Sequence, residues 1–103
     1  MGKLDGKVAI ITGAGGGIGQ AAARLFAAEG AKLMLVDINE EPLVALATSI
    51  GGDQTVYTVA DVSSVSDVQT YLKSTIEQFG RIDVTLLNAG IEGRIASISN
   101  QTE

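Results

Sequence analysis

The sequence contains no cysteine and no histidine. Disulfides and thiolate metal sites are thereby excluded, no metal site is expected, and a reducing, cytoplasmic setting suits such a chain. Aromatic residues supply only 4% of the chain, so small aliphatic side chains must fill the interior. Positive charge is also scarce. The net charge of −5 argues against a nucleic-acid partner, which would need a basic patch. It does not oppose nucleotide binding, because backbone amides at a helix N-terminus hold phosphate without lysine. No apolar run reaches the roughly 18 residues of a membrane span. The opening Met1-Gly2-Lys3-Leu4-Asp5 lacks the apolar stretch of a secretory signal, so no membrane partner is expected.

What is present is a chain of 103 residues, 46% hydrophobic, enough for one domain with a modest core. The pattern alternates. Lys7 to Thr12 reads as a strand whose consecutive apolar residues suit burial on both faces. Ile18, Ala21, Ala22, Leu25 and Phe26 form a helical stripe, and Gly30 is placed to end it. Lys32 to Asp37 is a second strand, and Leu43, Leu46, Ala47 and Ile50 mark a second helix with Pro42 in its first turn. Gln54 to Ala60 reads as a strand near a sheet edge. Ser64-Val65-Ser66-Asp67 resembles a capping box, and Val65, Val68, Leu72, Ile76 and Phe79 carry the third helix to Gly80. Ile82 to Asn88 is the fourth strand.

Strands alternating with helices imply right-handed crossovers and an α/β fold with a parallel sheet, in the order 3-2-1-4. The pattern fades from Ala89, and the last four residues read as the start of another helix. On this reading the sheet is truncated after its fourth strand. The outer edge of that strand, Ile82 to Leu87, is expected to lie open and to invite another chain, giving a homo-oligomer or an assembly-dependent fragment.

The chemistry gathers at the strand ends. Thr12-Gly13-Ala14-Gly15-Gly16-Gly17-Ile18-Gly19 joins the first strand to the first helix. Backbone amides and the positive end of the helix dipole converge there, and glycine lets a diphosphate approach them. Taken alone, the turn is equally consistent with tight helix–strand packing. Asp37 ends the second strand, 18 residues beyond Gly19, near the spacing of a ribose-binding carboxylate. Its oxygens can accept from both ribose hydroxyls, and its charge would repel a 2′-phosphate. Gly16 and Ile38 flank this region without offering a cation, so NAD(H) is expected rather than NADP(H). The plainer reading of Asp37 is a solvated carboxylate capping the next helix. Asp61 closes the third strand and could accept from an adenine amino group, or it could serve only as a helix cap before Ser63. Asn88-Ala89-Gly90 closes the fourth strand: the Asn88 side chain can tie neighbouring strands and Ala89 and Gly90 leave room for a sugar, or the three simply turn the chain.

Together, Thr12-Gly13-x-x-x-Gly17-x-Gly19, Asp37, Asp61-Val62 and Asn88-Ala89-Gly90 resemble the short-chain dehydrogenase/reductase family over nearly the whole chain. Leu87 departs from it, since many members carry a second Asn there. The resemblance implies a Rossmann-type parallel sheet with helices on both faces, with residues 1–103 as a partial NAD-binding domain. It implies that Gly13, Gly17, Ile18 and Gly19 cradle the diphosphate, with Thr12 and Gly16 in the same motif. It further implies Asp37 at the adenine ribose, Asp61 and Val62 at adenine, and Ala89 and Gly90 near the nicotinamide ribose. The family moves hydride between a nicotinamide cofactor and an alcohol or carbonyl substrate. Its active site uses Ser, Tyr and Lys in a Tyr-x-x-x-Lys arrangement. Here Tyr57 and Tyr71 are followed four residues later by Asp61 and Thr75. Tyr71 reads as an exposed helix residue, and Ser97 and Ser99 fall too early for the catalytic serine. No catalytic residue is assigned, and the chain alone is expected to be inactive.

Rival readings are a receiver-like domain, a methyltransferase-type α/β domain, and a non-catalytic module pairing through its open edge. The first lacks a lysine after Lys73, and the second fits the Thr-Gly opening and the Asn88-Ala89-Gly90 ending poorly.

Overall fold

The computed structural model of the chain describes residues 2–52, 54–87 and the backbone of 96–97. Its elements are β1 (Val8–Thr12), α1 (Gly17–Ala28), β2 (Lys32–Asp37), α2 (Glu40–Ile50), β3 (Thr55–Val59), α3 (Val65–Phe79), β4 (Val84–Leu87) and β5 (Ala96–Ser97). The first four strands lie parallel in the order β3-β2-β1-β4, as the alternation predicts. The outer edge of β4 corrects the expectation of an open edge. There β5 runs antiparallel, pairing Leu86 with Ser97 and Leu87 with Ala96.

Side chains on successive strand residues point to opposite faces, and this divides the core in two. Ala9, Ile11, Leu33 and Leu35 face one side, where they pack with Ala23, Leu43 and Leu46 from α1 and α2. Ile10, Met34 and Val36 face the other, where they meet Ala60 and Tyr71, with Val68 of α3 packed alongside. Every residue of β1 is buried, as a central strand covered on both faces requires. Burial of each leucine in such a layer stabilises the fold by about 1.5–3 kcal/mol.

The α1 interface differs from the expected stripe by one residue. The buried positions are Gly19 and Ala23, with Ala22, Phe26 and Ala27 packed against the core, while Leu25 is 59% exposed. A step of one residue turns the face by about 100°. Small residues win because they let the helix axis approach the sheet. A Cβ on Gly19 would land on the Gly13 carbonyl oxygen and 2.7 Å from the Ala14 Cα. The helix closes in a Schellman motif: Gly30 N–H donates to the Ala27 carbonyl and Ala31 N–H to that of Phe26.

α3 also turns differently from its apolar stripe. Tyr71 and Thr75 are buried, whereas Val65, Leu72 and Ile76 are exposed. Thr75 can be buried because its hydroxyl donates to the Tyr71 carbonyl at 2.6 Å. Tyr71, expected at the surface, is only 3% exposed, and burial pushes its phenol above the ordinary value of 10.0. At the start of the helix Ser64 Oγ accepts from Asp67 N–H at 3.3 Å. The reciprocal half of a capping box is redirected: Asp67 Oδ2 accepts from Asp61 N–H at 2.8 Å.

Candidate functional site at the carboxyl ends of the strands

Because β1 to β4 are parallel, the turn after β1, Asp37, and Asp61 just beyond β3 all fall at one edge of the sheet. Ligands of open α/β sheets bind at this edge. Thr12 is buried at the end of β1, and its hydroxyl donates to the Leu86 carbonyl across the β1–β4 pair. Gly13 turns the chain with φ of 65°, a backbone conformation that glycine adopts without a steric penalty. Ala14 N–H then donates to the Val36 carbonyl at 3.0 Å, and Gly16 N–H to that of Gly13 at 3.1 Å. These bonds fold the turn back over the end of β2.

Gly16 is the N-cap of α1 and offers no side chain to it, and the first turn of the helix carries no acid. The positive end of the helix is thus left without a carboxylate of its own. A Cβ on Gly17 would meet nothing within 4 Å. The fold around this turn therefore does not need a glycine at position 17 for space, in contrast to Gly19. An open volume beside an uncapped helix N-terminus matches the requirements of a diphosphate.

Asp37 meets this turn directly. Its Oδ2 accepts from Gly15 N–H at 2.8 Å and its Oδ1 from Asn39 N–H at 3.1 Å. Among the described residues no lysine or arginine pairs with it; the ion pair found is Arg81 with Asp83. A carboxylate oxygen carries two lone pairs, so each Asp37 oxygen keeps acceptor capacity for a ligand hydroxyl. Ile38, next along, is exposed. Asp37 does not cap α2: the N-cap is Asn39, which makes no side-chain bond to the helix.

Asp61 is held more locally. Its Oδ1 accepts from the Ser63 hydroxyl at 2.7 Å and from Ser63 N–H at 2.9 Å. The Ser63 hydroxyl, with the Ser63 amide behind it, holds the Asp61 carboxyl below the usual carboxylate range. The cap of α3 is Ser64, so Asp61 builds the turn before the helix without capping it. Val62 packs partly against the core face that holds Tyr71.

The structure thus brings Thr12, Gly13, Gly16, Gly17, Ile18, Gly19, Asp37 and Ile38 to one end of β1 and β2, with Asp61 and Val62 beyond the adjacent end of β3. Asn88, Ala89 and Gly90 lie outside the described residues. Two residues of this region escaped the sequence reading. Gly15 supplies the amide that holds Asp37, and the Gln20 side chain donates to the Gly15 carbonyl at 2.8 Å. The spacing of Gly15 within a glycine run carried no signal that this amide is used. At the opposite edge of the sheet a cleft of about 610 Å³ opens between the ends of α1 and α2, lined by Arg24, Ala27, Ile50 and Gln54. Among the described residues, no group of acids could hold a metal ion, and no helix is long and apolar enough to cross a membrane.

Comparison with known proteins accounts for this arrangement. The family model for short chain dehydrogenase matches residues 7–103. Levodione reductase of Leifsonia aquatica is 47% identical over 96 residues, which cover 89% of this chain and 36% of that protein. Short-chain dehydrogenase reductase 3a of Arabidopsis thaliana is 44% identical over 89 residues, covering 86% of this chain and 35% of the relative. A crystal structure of 3-ketoacyl-(acyl-carrier-protein) reductase from Brucella melitensis, complexed with NADH, superposes with a TM-score of 0.77 at 38% identity; the match covers 81% of this chain and 34% of that one. The chain belongs to the short-chain dehydrogenase family, and its sheet is that of a Rossmann-like fold. It spans about a third of the length of these relatives.

Proposed function

We propose that the chain is the cofactor-binding part of an NAD-dependent short-chain dehydrogenase, with residues 1–103 forming one partial NAD-binding domain. The observation that carries this reading is the Asp37 carboxylate, held at 2.8 Å by the Gly15 amide of the glycine turn. It sets a fixed negative charge beside an uncapped helix N-terminus. The turn from Gly13 to Gly19 binds the diphosphate through backbone amides. Asp37 accepts hydrogen bonds from the adenine ribose and disfavours a 2′-phosphate by like-charge repulsion. Asp61 and Val62 border the adenine, and Ala89 and Gly90 border the nicotinamide ribose. When bound, the nicotinamide supplies or accepts a hydride in exchange with an alcohol or carbonyl substrate. The crystal structure of a relative with NADH supports the choice of cofactor.

This chain has no Tyr-x-x-x-Lys, and Tyr71 is committed to the core. No residue is assigned to proton transfer, and the chain alone should form no NADH from any alcohol. A cytoplasmic location and self-association belong to the same reading. A module pairing only through a bare β4 edge is not favoured, because β5 lies along that edge at Leu86 and Leu87.

Calorimetric titration with NAD, NADP and S-adenosylmethionine tests the proposal. NAD should bind more tightly than NADP, and S-adenosylmethionine should give no heat. Equal affinity for NAD and NADP, or preference for S-adenosylmethionine, would overturn it.

A further inference from the structure

We propose that Gly15 is a positioning residue that sets cofactor selectivity by fixing the direction of Asp37, with Pro42 closing the space beside position 15, an inference that rests on Asp37 reading the adenine ribose. Asp37 ends β2 with a side chain that, left alone, would sample several staggered wells. It is instead held by two amides from two different segments: Gly15 N–H on Oδ2 at 2.8 Å and Asn39 N–H on Oδ1 at 3.1 Å. The Gly15 peptide is itself held from its other side, where Gln20 Nε2 donates to its carbonyl at 2.8 Å. The donor that aims Asp37 is therefore anchored to α1.

Space is closed as well. A Cβ on Gly15 would sit 2.9 Å from Asp37 Oδ2, 2.9 Å from Pro42 Cγ and 3.0 Å from Pro42 Cβ. Gly15 is not among the positive-φ glycines, so it is required by proximity and not by backbone conformation. Asp37 could swing aside for an added methyl group, but Pro42 could not easily do so. Its ring is fused to the backbone in the first turn of α2. An added methyl group would therefore be relieved by displacing the carboxylate. The glycine turn, the acid and the start of α2 form one unit, so diphosphate binding and ribose selection share a single rigid frame.

The test uses the 103-residue chain in titrations with NAD and NADP, together with urea unfolding of every variant to separate binding from folding. Gly15→Ala should weaken NAD by roughly tenfold, the scale of one displaced charge-assisted hydrogen bond, while NADP changes little. Pro42→Gly, which removes both of the ring carbons that face position 15, should recover part of the NAD affinity lost in Gly15→Ala. In an Asp37→Asn background, Gly15→Ala should have no further effect on the NAD-to-NADP ratio. A second readout needs no cofactor: hydrogen exchange at the Gly15 amide should be slow in the wild type and fast in Asp37→Ala. Equal losses for NAD and NADP in Gly15→Ala, no loss at all, no recovery with Pro42→Gly, or unprotected Gly15 in the wild type would each overturn the inference. If Asp37→Asn itself left the preference for NAD intact, the underlying reading of Asp37 would fail, and the inference with it.

Discussion

Asp83 bridges the entry to β4 and the start of β1: its Oδ2 accepts from Val8 N–H at 2.8 Å, while its Oδ1 binds the Arg81 guanidinium at 2.7 Å. The Arg81 hydrogen bond, helped by the Val8 amide and by the charges of Arg81 and Lys7, holds the Asp83 carboxyl below its usual range. A carboxyl depressed in the folded state contributes stability above its unfolded value of about 3.9 and loses it as pH falls through the folded value. Asp83→Asn should therefore cost roughly 1–2 kcal/mol at neutral pH. The gap from the wild type should shrink as the solution is acidified below about pH 4. Urea midpoints of both proteins at pH 7 and pH 3 check this, and a gap that widens on acidification would contradict it.

Gly17 and Gly19 separate binding from folding. The Cβ of a Gly17→Val variant meets nothing within 4 Å, so the urea midpoint should stay near that of the wild type while NAD affinity is lost. Gly19→Val drives its Cβ into the Gly13 carbonyl and should cost about 1–3 kcal/mol by overpacking. Unfolding and NAD titration of both variants decide the matter. Unchanged NAD affinity in Gly17→Val would remove the basis for the diphosphate assignment.

Tyr71 is a core residue with a titratable end. Tyr71→Ala should destabilise the chain by about 3–5 kcal/mol, the scale of a large aromatic truncation, and Tyr71→Phe by much less. Burial raises its phenol above 10.0, so its neutral form is favoured by folding and stability should decline as pH rises above that value. The chain has two tyrosines, so Tyr57→Phe leaves Tyr71 as the sole phenol for a spectrophotometric titration. An ordinary phenol titration in that variant would show that Tyr71 is not buried.

Ser64 closes the first turn of α3 through its bond to Asp67 N–H. Ser64→Ala should cost about 1 kcal/mol, and Ser64→Gly only a few tenths. Thermal unfolding of the pair measures the difference, and equal effects would place the cap elsewhere.

The elements from β1 to β4 and their order were legible because glycine, proline and the capping serine punctuate the chain, and because β1 and β2 are uninterrupted apolar runs. α2 was legible in detail: Leu43 and Leu46 are its buried residues, as the apolar spacing predicts. The faces of α1 and α3 were not. Hydropathy gives Leu25 and Leu72 the greatest weight, yet close approach to the sheet selects Gly19, Ala22 and Ala23 on one helix and Tyr71 with Thr75 on the other. Residue spacing carries no measure of how near two backbones come.

By itself the sequence determined an alternating α/β chain, a glycine turn after the first strand and an acid after the second, because periodicity and turn chemistry are local properties. Only the tertiary structure decided that Gly15 would hold Asp37, that Pro42 would close the space beside Gly15, and that β5 would lie along β4. Each of these joins residues from different elements, and such contacts exist only once parallel pairing has brought the strand ends to one edge.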